Sequence, residues 1–374
     1  MALTKVRLGG FEPQYVGRRN LIINGGMQVA QRGTSSTTNG MSTVDRTQFN
    51  YSGGTVTQSQ ESLSSGTPYT EGFHKFYRAT NTSVATDTAS HYRVFRQNIE
   101  DQNVAVSGWD YESTSSYITV SFWVRSSVSQ EFYAYINQGA DVYNFVFSIG
   151  TLSANTWTKV TKTISGNSNL SFDNDNSAGI EFNIVPFWGT NFTTSSTATD
   201  TWYAWDGASR VPDMTSTWAT TSGATFDITG VQLEVGSVAT PFEHRTYAEE
   251  LELCKRYFQK FGGGANKTIA HVYAPSTAEL ALLFRFSPEM RVTPSVDWSS
   301  ATTDMTYRYN NNNSQEFDRN DLSNDGSVGQ VTPQGGSMWI SGWSHGQSSL
   351  DGGEVRVYGY SPEQFLFIQF DSEL

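Results

Sequence analysis

The sequence predicts an all-β protein with two globular parts, and three observations carry that expectation. Aromatic residues make up 14% of the 374 residues and charged residues only 16%, against roughly a quarter charged in ordinary soluble domains. Aromatic and β-branched residues come in short runs separated by Gly, Asn, Ser and Asp clusters, the pattern of many short strands joined by turns. Within the runs apolar residues recur with period two, which puts them on one face of a pleated strand. At about 150 residues per domain, the length supports two or three separate cores.

The first stretch, residues 1–19, carries Lys5, Arg7, Arg18 and Arg19 among Gly and Pro and shows neither strand nor helix period. It reads as an N-terminal arm. Residues 20–244 read as an antiparallel β-sandwich. The run 118–125 sets Ile118, Val120, Phe122 and Val124 on one face, with Ser121, Trp123 and Arg125 on the other. Tyr143, Phe145 and Phe147 repeat the device, as do Ile180, Phe182 and Ile184. In the run 226–235 the phase slips at Thr229-Gly230, which predicts a bulge at Gly230.

After Pro241 the period changes. Tyr247, Leu251, Cys254, Phe258 and Phe261 recur at helical spacing, and Thr246 with Glu249 forms a capping box. A connecting helix followed by a Gly262-Gly263-Gly264 hinge accounts for residues 245–264. The apolar face of Tyr247, Leu251, Cys254 and Phe258 is expected to pack against symmetry mates or against the chain's own sandwich. Residues 265–374 read as a smaller C-terminal β domain, with strands at 280–286, 355–360 and 365–370 around a polar stretch. No repeat of 20 to 50 residues occurs, which disfavours a solenoid or propeller.

Charge and cysteine counts narrow the function. Lys and Arg total 24 and Asp and Glu 36, a net charge of −12, so neither nucleic acid nor an anionic membrane is an expected partner. No run of 18 apolar residues is present, so no membrane insertion is expected, and residues 1–10 lack an apolar signal region. The chain is expected to be made in a cytoplasm, and its single Cys254 closes no intrachain disulfide.

Catalytic patterns are missing from the sequence. The five histidines form no HxxxH or HExxH pattern, and no GxGxxG or P-loop occurs, so no enzyme is expected. Calcium is the one cofactor with a motif: Asp321 and Asp325 fall at oxygen positions of a short ligand loop ending in Gly326, although Thr332 stands where a bidentate Glu belongs. The alternative there is a solvated Asx turn. The connection after the 180–187 run is more informative, because it holds Trp188, Phe192, Trp202, Tyr203, Trp205, Asp206, Arg210 and Trp218. Aromatic faces beside Asp and Arg suit sugar rings, while the competing reading packs these rings onto the sandwich. Trp339 and Trp343 form a second cluster with the same two readings.

The order of several short motifs carries a resemblance. Asn20-Leu21-Ile22-Ile23-Asn24-Gly25-Gly26 followed by Gln31-Arg32-Gly33 resembles the opening of the jelly-roll domain of bacteriophage tail-fibre and receptor-binding proteins, itself similar to carbohydrate-binding modules. Phe122-Trp123-Val124-Arg125, Thr156-Trp157, Gln232-Leu233-Glu234, Pro241-Phe242-Glu243, Met290-Arg291 and the closing Asp371-Ser372-Glu373-Leu374 follow in that family's order. Asp45-Arg46 departs from it, because Thr47 follows where Trp is usual. The resemblance implies a jelly roll and a homotrimeric virion tail protein. It further implies docking on another tail or baseplate protein through the arm and adhesion to bacterial surface polysaccharide. It also implies a structural Ca2+ near Asp227 and the backbone at Asn24. A structural adaptor, a head decoration and a glycan depolymerase are the rival readings.

Overall fold

In a computed structural model, the described residues are 19–84, 88–139, 141–262, 267–276, 279–298, 305–309, 313–317, 331–341, 352–357 and 367–374. They divide into two units, one drawn from Met1–Met27 and Gln48–His244, the other from Gln28–Thr47 and Arg245–Leu374. In chain order the strands up to His244 are β1 (Ser35–Ser36), β2 (Gln48–Ser52), β3 (Thr55–Ser62), β4 (Lys75–Ser83), β5 (Tyr92–Glu100), β6 (Tyr117–Ser126), β7 (Glu131–Gln138), β8 (Tyr143–Thr151), β9 (Thr158–Ser165), β10 (Ala178–Trp188), β11 (Trp202–Ala204) and β12 (Thr225–Val235).

The first unit is a two-sheet antiparallel sandwich. In one sheet β3, β4, β12, β6 and β9 lie side by side in that order, and the other runs β11-β8-β7-β10-β5-β2. Alternation decides which side chains meet between them. Ile118, Val120, Phe122 and Val124 of β6 are fully buried, and Phe122 meets Phe182 of β10 at 5.6 Å between ring centroids. Phe132 and Phe226 repeat the contact at 5.0 Å. Each such ring contributes roughly 2–3 kcal/mol of burial, so the apolar face of these strands fixes the register.

The bulge falls where the sequence slips. Pairing of β12 with β6 shifts register between Thr229 and Gln232, and Gly230 has φ +64°, with any Cβ coming 2.7 Å from the Phe73 ring. Only glycine suits that backbone and that space. The Asn20 motif also finds its reason here. Buried Asn20 accepts from the Leu233 and Ile22 N–H groups through Oδ1, donates to the Val231 carbonyl, and its own N–H donates to Glu243. A Cβ on Gly25 would lie 2.0 Å from the Val231 oxygen. Motifs far apart in the chain thus lock the first residues to the last strand of the sandwich.

In the second unit, β13 (Phe258–Gly262), β14 (Lys267–Ser276), β15 (Glu279–Arg285), β16 (Ser295–Trp298), β17 (Met305–Tyr309), β18 (Asn313–Phe317), β19 (Val331–Thr332), β20 (Gly335–Ser341), β21 (Gly352–Val357) and β22 (Phe367–Asp371) form a β13-β22-β16 sheet and a β18-β17-β21-β14-β15-β20-β19 sheet. The capping box is present: the Thr246 hydroxyl accepts from the Glu249 N–H and the Glu249 carboxylate from the Thr246 N–H at 2.8 Å. The helix, however, is Tyr247–Lys255 rather than 247–261. Phe258 and Phe261 lie in β13, where residues 258–262 pair with residues 367–371 of β22. Pairing with a strand at the far end of the sequence overrides the helical spacing.

That result corrects the expected assembly face. Cys254 and Phe258 are fully buried inside this unit and Leu251 is half-buried, so of the four residues only Tyr247, 55% exposed, presents itself to solvent. Asp45-Arg46, where the family pattern is departed from, falls in the second unit rather than in the sandwich read over residues 20–244. Buried Arg46 pairs with Glu373 and stacks over the Tyr257 ring at 3.5 Å, while Arg32 reaches Asp371 at 2.9 Å, Asp45 at 3.7 Å and the Phe258 ring at 3.8 Å. Arg291 donates to the Ser372 and Glu373 carbonyls. Residues 1–18 of the expected arm lie outside the described residues.

Candidate functional site

The outer face of the β2-β5-β10 side of the sandwich carries the most developed site. Period two puts Tyr92, Val94 and Arg96 of β5 on that face, and Asn50 of β2 stands opposite Val94. On the other side Trp188 of β10 pairs in register with Tyr92, and Asn183 with Arg96. The connection after β10 closes the site from above with Phe192 and Arg210. Together Asn50, Tyr92, Val94, Arg96, Trp188, Phe192 and Arg210 line a cleft of about 220 Å³.

Its rings form a continuous apolar wall. Tyr92 and Trp188 stand 5.0 Å apart, Trp188 and Phe192 4.9 Å, and Tyr92 and Phe192 6.2 Å edge to face. The Arg210 guanidinium lies 4.5 Å from the Trp188 ring, 5.2 Å from Phe192 and 5.1 Å from Trp205, a cation–π arrangement that orders the connection over the sheet. Arg210 Nε donates to the Gly207 carbonyl. At the floor Arg96 donates through Nε to Asn183 Oδ1 at 2.9 Å and pairs with Glu181 at 3.2 Å. Burial pushes the Glu181 carboxyl up, against the pull of Arg96. The arrangement offers ring faces, guanidinium donors and one amide within one sugar-sized space.

Beneath the connection, Val94, Tyr133, Tyr135, Val146, Val185, Trp188 and Val211 make a buried cluster, with Tyr203 and Met214 against it. Tyr203 is tied down: its hydroxyl accepts from Asn144 at 3.0 Å and donates towards the Ser209 carbonyl at 3.3 Å, and burial pushes it up to about 12. The packing reading of the aromatic segment therefore holds for Tyr203 and for the buried face of Trp188.

The structure sorts the expected glycan residues. Trp218 is 0% exposed, donates from Nε1 to the Thr225 carbonyl and meets Phe226 at 6.0 Å, so no sugar can stack on it. That expectation is corrected: the short helix Thr217–Thr220 turns its apolar side chain inwards. Trp202 is half-buried on the edge strand β11, donating to the Ser165 carbonyl at 2.8 Å and packing on Phe145 at 5.5 Å, away from the cleft lining. Trp205 reaches the site only through Arg210, and Asp206, exposed, caps a turn by accepting from the Ala208 N–H. Among the described residues, Trp188, Phe192 and Arg210 of the expected segment line the cleft. Asn50, Tyr92, Val94 and Arg96 were not anticipated, although the alternation Tyr92, Val94, Arg96 is visible in the sequence.

The calcium expectation at Asp227 is overturned. Its carboxylate receives Arg78 Nε at 2.7 Å, Arg78 Nη2 at 3.0 Å and Arg125 Nε at 2.8 Å. Two guanidiniums occupy the oxygens a cation would need. The Asn24 carbonyl accepts from the Met27 N–H in a local turn. Among the described residues no group of three His, Cys, Asp or Glu side chains is placed to hold a metal. Asp321, Asp325 and Trp343 lie outside the described residues, as does the side chain of Trp339.

No family model matches the chain, and no curated protein matches it. Among solved structures it is similar to the enzymatically active domain of tailspike protein 4 of bacteriophage CBA120, at 13% identity and a TM-score of 0.31 over 58% of this chain. It spans only 21% of that tailspike chain. It is also similar to a carbohydrate-binding module, CBM4, at 12% identity and a TM-score of 0.30, over 57% of this chain and 98% of that one. The family 11 carbohydrate-binding module from Clostridium thermocellum, solved with a β-1,3-1,4-mixed-linked tetrasaccharide, is similar at 13% identity and a TM-score of 0.27, over 55% of this chain and 98% of that one. These likenesses are distant.

Proposed function

We propose that this chain is a non-catalytic glycan-binding protein of a bacteriophage tail fibre, and that the cleft between Tyr92, Trp188, Phe192 and Arg210 receives bacterial surface polysaccharide. The observation that carries the reading is the convergence of the half-buried Tyr92 and Phe192 rings with Arg96, Arg210 and Asn50 in one cleft of about 220 Å³, over a Trp188 that is itself only 4% exposed. Sugar C–H faces pack on such rings, and ring hydroxyls accept from guanidinium and amide donors. At the cleft floor the Glu181 carboxylate is held by Arg96 at 3.2 Å, whereas glycoside hydrolysis uses two carboxylates flanking the scissile bond, which favours a binder over a depolymerase. In the virion the chain assembles as a homotrimer and docks through its N-terminal arm on another tail or baseplate protein.

Adsorption of the purified chain to host cells tests this. Wild-type protein should coat the cells and compete with phage adsorption. Tyr92→Ala, at a half-buried position on the cleft wall, should lose both effects while keeping its melting temperature. Coating that survives Tyr92→Ala unchanged removes this cleft as the contact.

A further inference from the structure

The opposite sheet of the sandwich carries a second cavity of about 390 Å³, lined by Glu61, Ser62, Leu63, Ser64, Ser65, Gly66, Phe76, Arg78, Arg125 and Trp157. Its floor follows from strand register. Asp227 of β12 stands opposite Arg78 of β4 on one side and Arg125 of β6 on the other. Only 1% of the Asp227 side chain is exposed, against 29% for Arg78 and 24% for Arg125. The buried carboxylate thus holds two guanidiniums at the surface in a fixed orientation.

What the guanidiniums leave unspent defines the ligand. Each gives its Nε and Nη2 to Asp227, so among the described residues Nη1 of both is without a partner. The Arg125 guanidinium lies 4.7 Å from the Trp157 ring and 5.5 Å from the Phe76 ring, and that of Arg78 lies 5.2 Å from Phe76. A pair of pre-oriented guanidinium donors matches a carboxylate better than a neutral group. The remaining lining adds the exposed hydroxyls of Ser62, Ser64 and Ser65, and Glu61 at the rim. These give and accept hydrogen bonds of the kind that sugar hydroxyls make, and the rings give an apolar wall.

We infer that this cavity is a second binding site, independent of the Trp188 cleft, for a carboxylate-bearing sugar residue of an acidic glycan, its carboxylate held between Arg78 and Arg125. Arg78 and Arg125 take the anion, and Glu61, whose charge also acts on Arg78, accepts from ring hydroxyls. The site stands on the opposite sheet from the Trp188 cleft, so either can bind without the other.

Isothermal titration with tetragalacturonate, and with cellotetraose as a neutral tetrasaccharide of the same length, tests the inference. The acidic oligomer should bind at least about tenfold more tightly, the weight of one charge-assisted hydrogen bond, and its affinity should fall as salt rises. Ser65→Trp, a change on an exposed rim, should fill the cavity and abolish that binding. Arg125→Lys keeps a charge for Asp227 but removes the fork, and should weaken binding about tenfold. Arg210→Ala in the other cleft should leave it untouched. Equal affinity for the two oligomers, no binding of either, binding that survives Ser65→Trp, or binding lost in Arg210→Ala would each overturn the inference.

Discussion

Arg46 and Glu373 form a buried ion pair across 327 residues of sequence separation, with the Tyr257 ring stacked on the guanidinium. The pair joins the segment Gln28–Thr47 to the last residues of the chain within one unit. Buried charges are held only when paired, and removing one partner leaves the other uncompensated. Glu373→Ala, which strands the buried Arg46, should therefore cost the second unit about 3–5 kcal/mol, and Arg46→Ala less, because Arg32 still reaches Glu373 at 3.3 Å. Differential scanning calorimetry should resolve a lowered transition for one unit and an unchanged one for the sandwich.

Asp45 makes the same network sensitive to pH. Burial pushes its carboxyl up to about 6, with Arg32 pulling the other way. An unfolded Asp titrates near about 3.9, so the folded state binds the proton more tightly. This group's contribution is fully present below about pH 4 and is lost as pH rises through about 6, a change on the order of 3 kcal/mol. Denaturant melts at a series of pH values should show wild type losing stability across that window relative to Asp45→Asn. Parallel curves for the two proteins would remove Asp45 from the account.

Gly230 is a prediction about the sandwich. Its φ of +64° and the 2.7 Å approach of any Cβ to the Phe73 ring make Gly230→Ala destabilising by about 1–3 kcal/mol. A urea midpoint that falls with an unchanged slope is the expected outcome.

Asp227 separates an ion-pair role from a metal role. Asp227→Asn leaves Arg78 and Arg125 facing an amide at a site only 1% exposed, and should lower stability by about 3 kcal/mol. The loss should be the same in calcium and in EDTA, because guanidiniums occupy the carboxylate. A loss seen only in calcium would reinstate a cation there.

The sandwich was largely legible because its signals are local. The alternation of Ile118, Val120, Phe122 and Val124 names a buried face without knowing the partner sheet, and the phase slip at Gly230 names a bulge. The end of the helix was hidden because Phe258 and Phe261 fit a helical period, while the strand they pair with, Phe367–Asp371, lies about a hundred residues on. Asp227 was misread for a similar reason: its neighbours Arg78 and Arg125 are set by β12 lying between β4 and β6, an order no local pattern states. Of the aromatic segment, composition showed that the rings mattered but not which way each would turn. Trp218 turned into the core, and Trp188, 4% exposed, into the cluster beneath the connection with Tyr92 and Phe192 against it.

The central claim is that the Tyr92–Trp188–Phe192–Arg210 cleft binds glycan, and its most direct test is calorimetric titration of purified host surface polysaccharide into wild type and Arg210→Ala. The account predicts saturable binding by wild type and at least about a tenfold loss in Arg210→Ala, the scale of a lost charged donor, with the sandwich transition unchanged. Equal affinities with both proteins folded would contradict it.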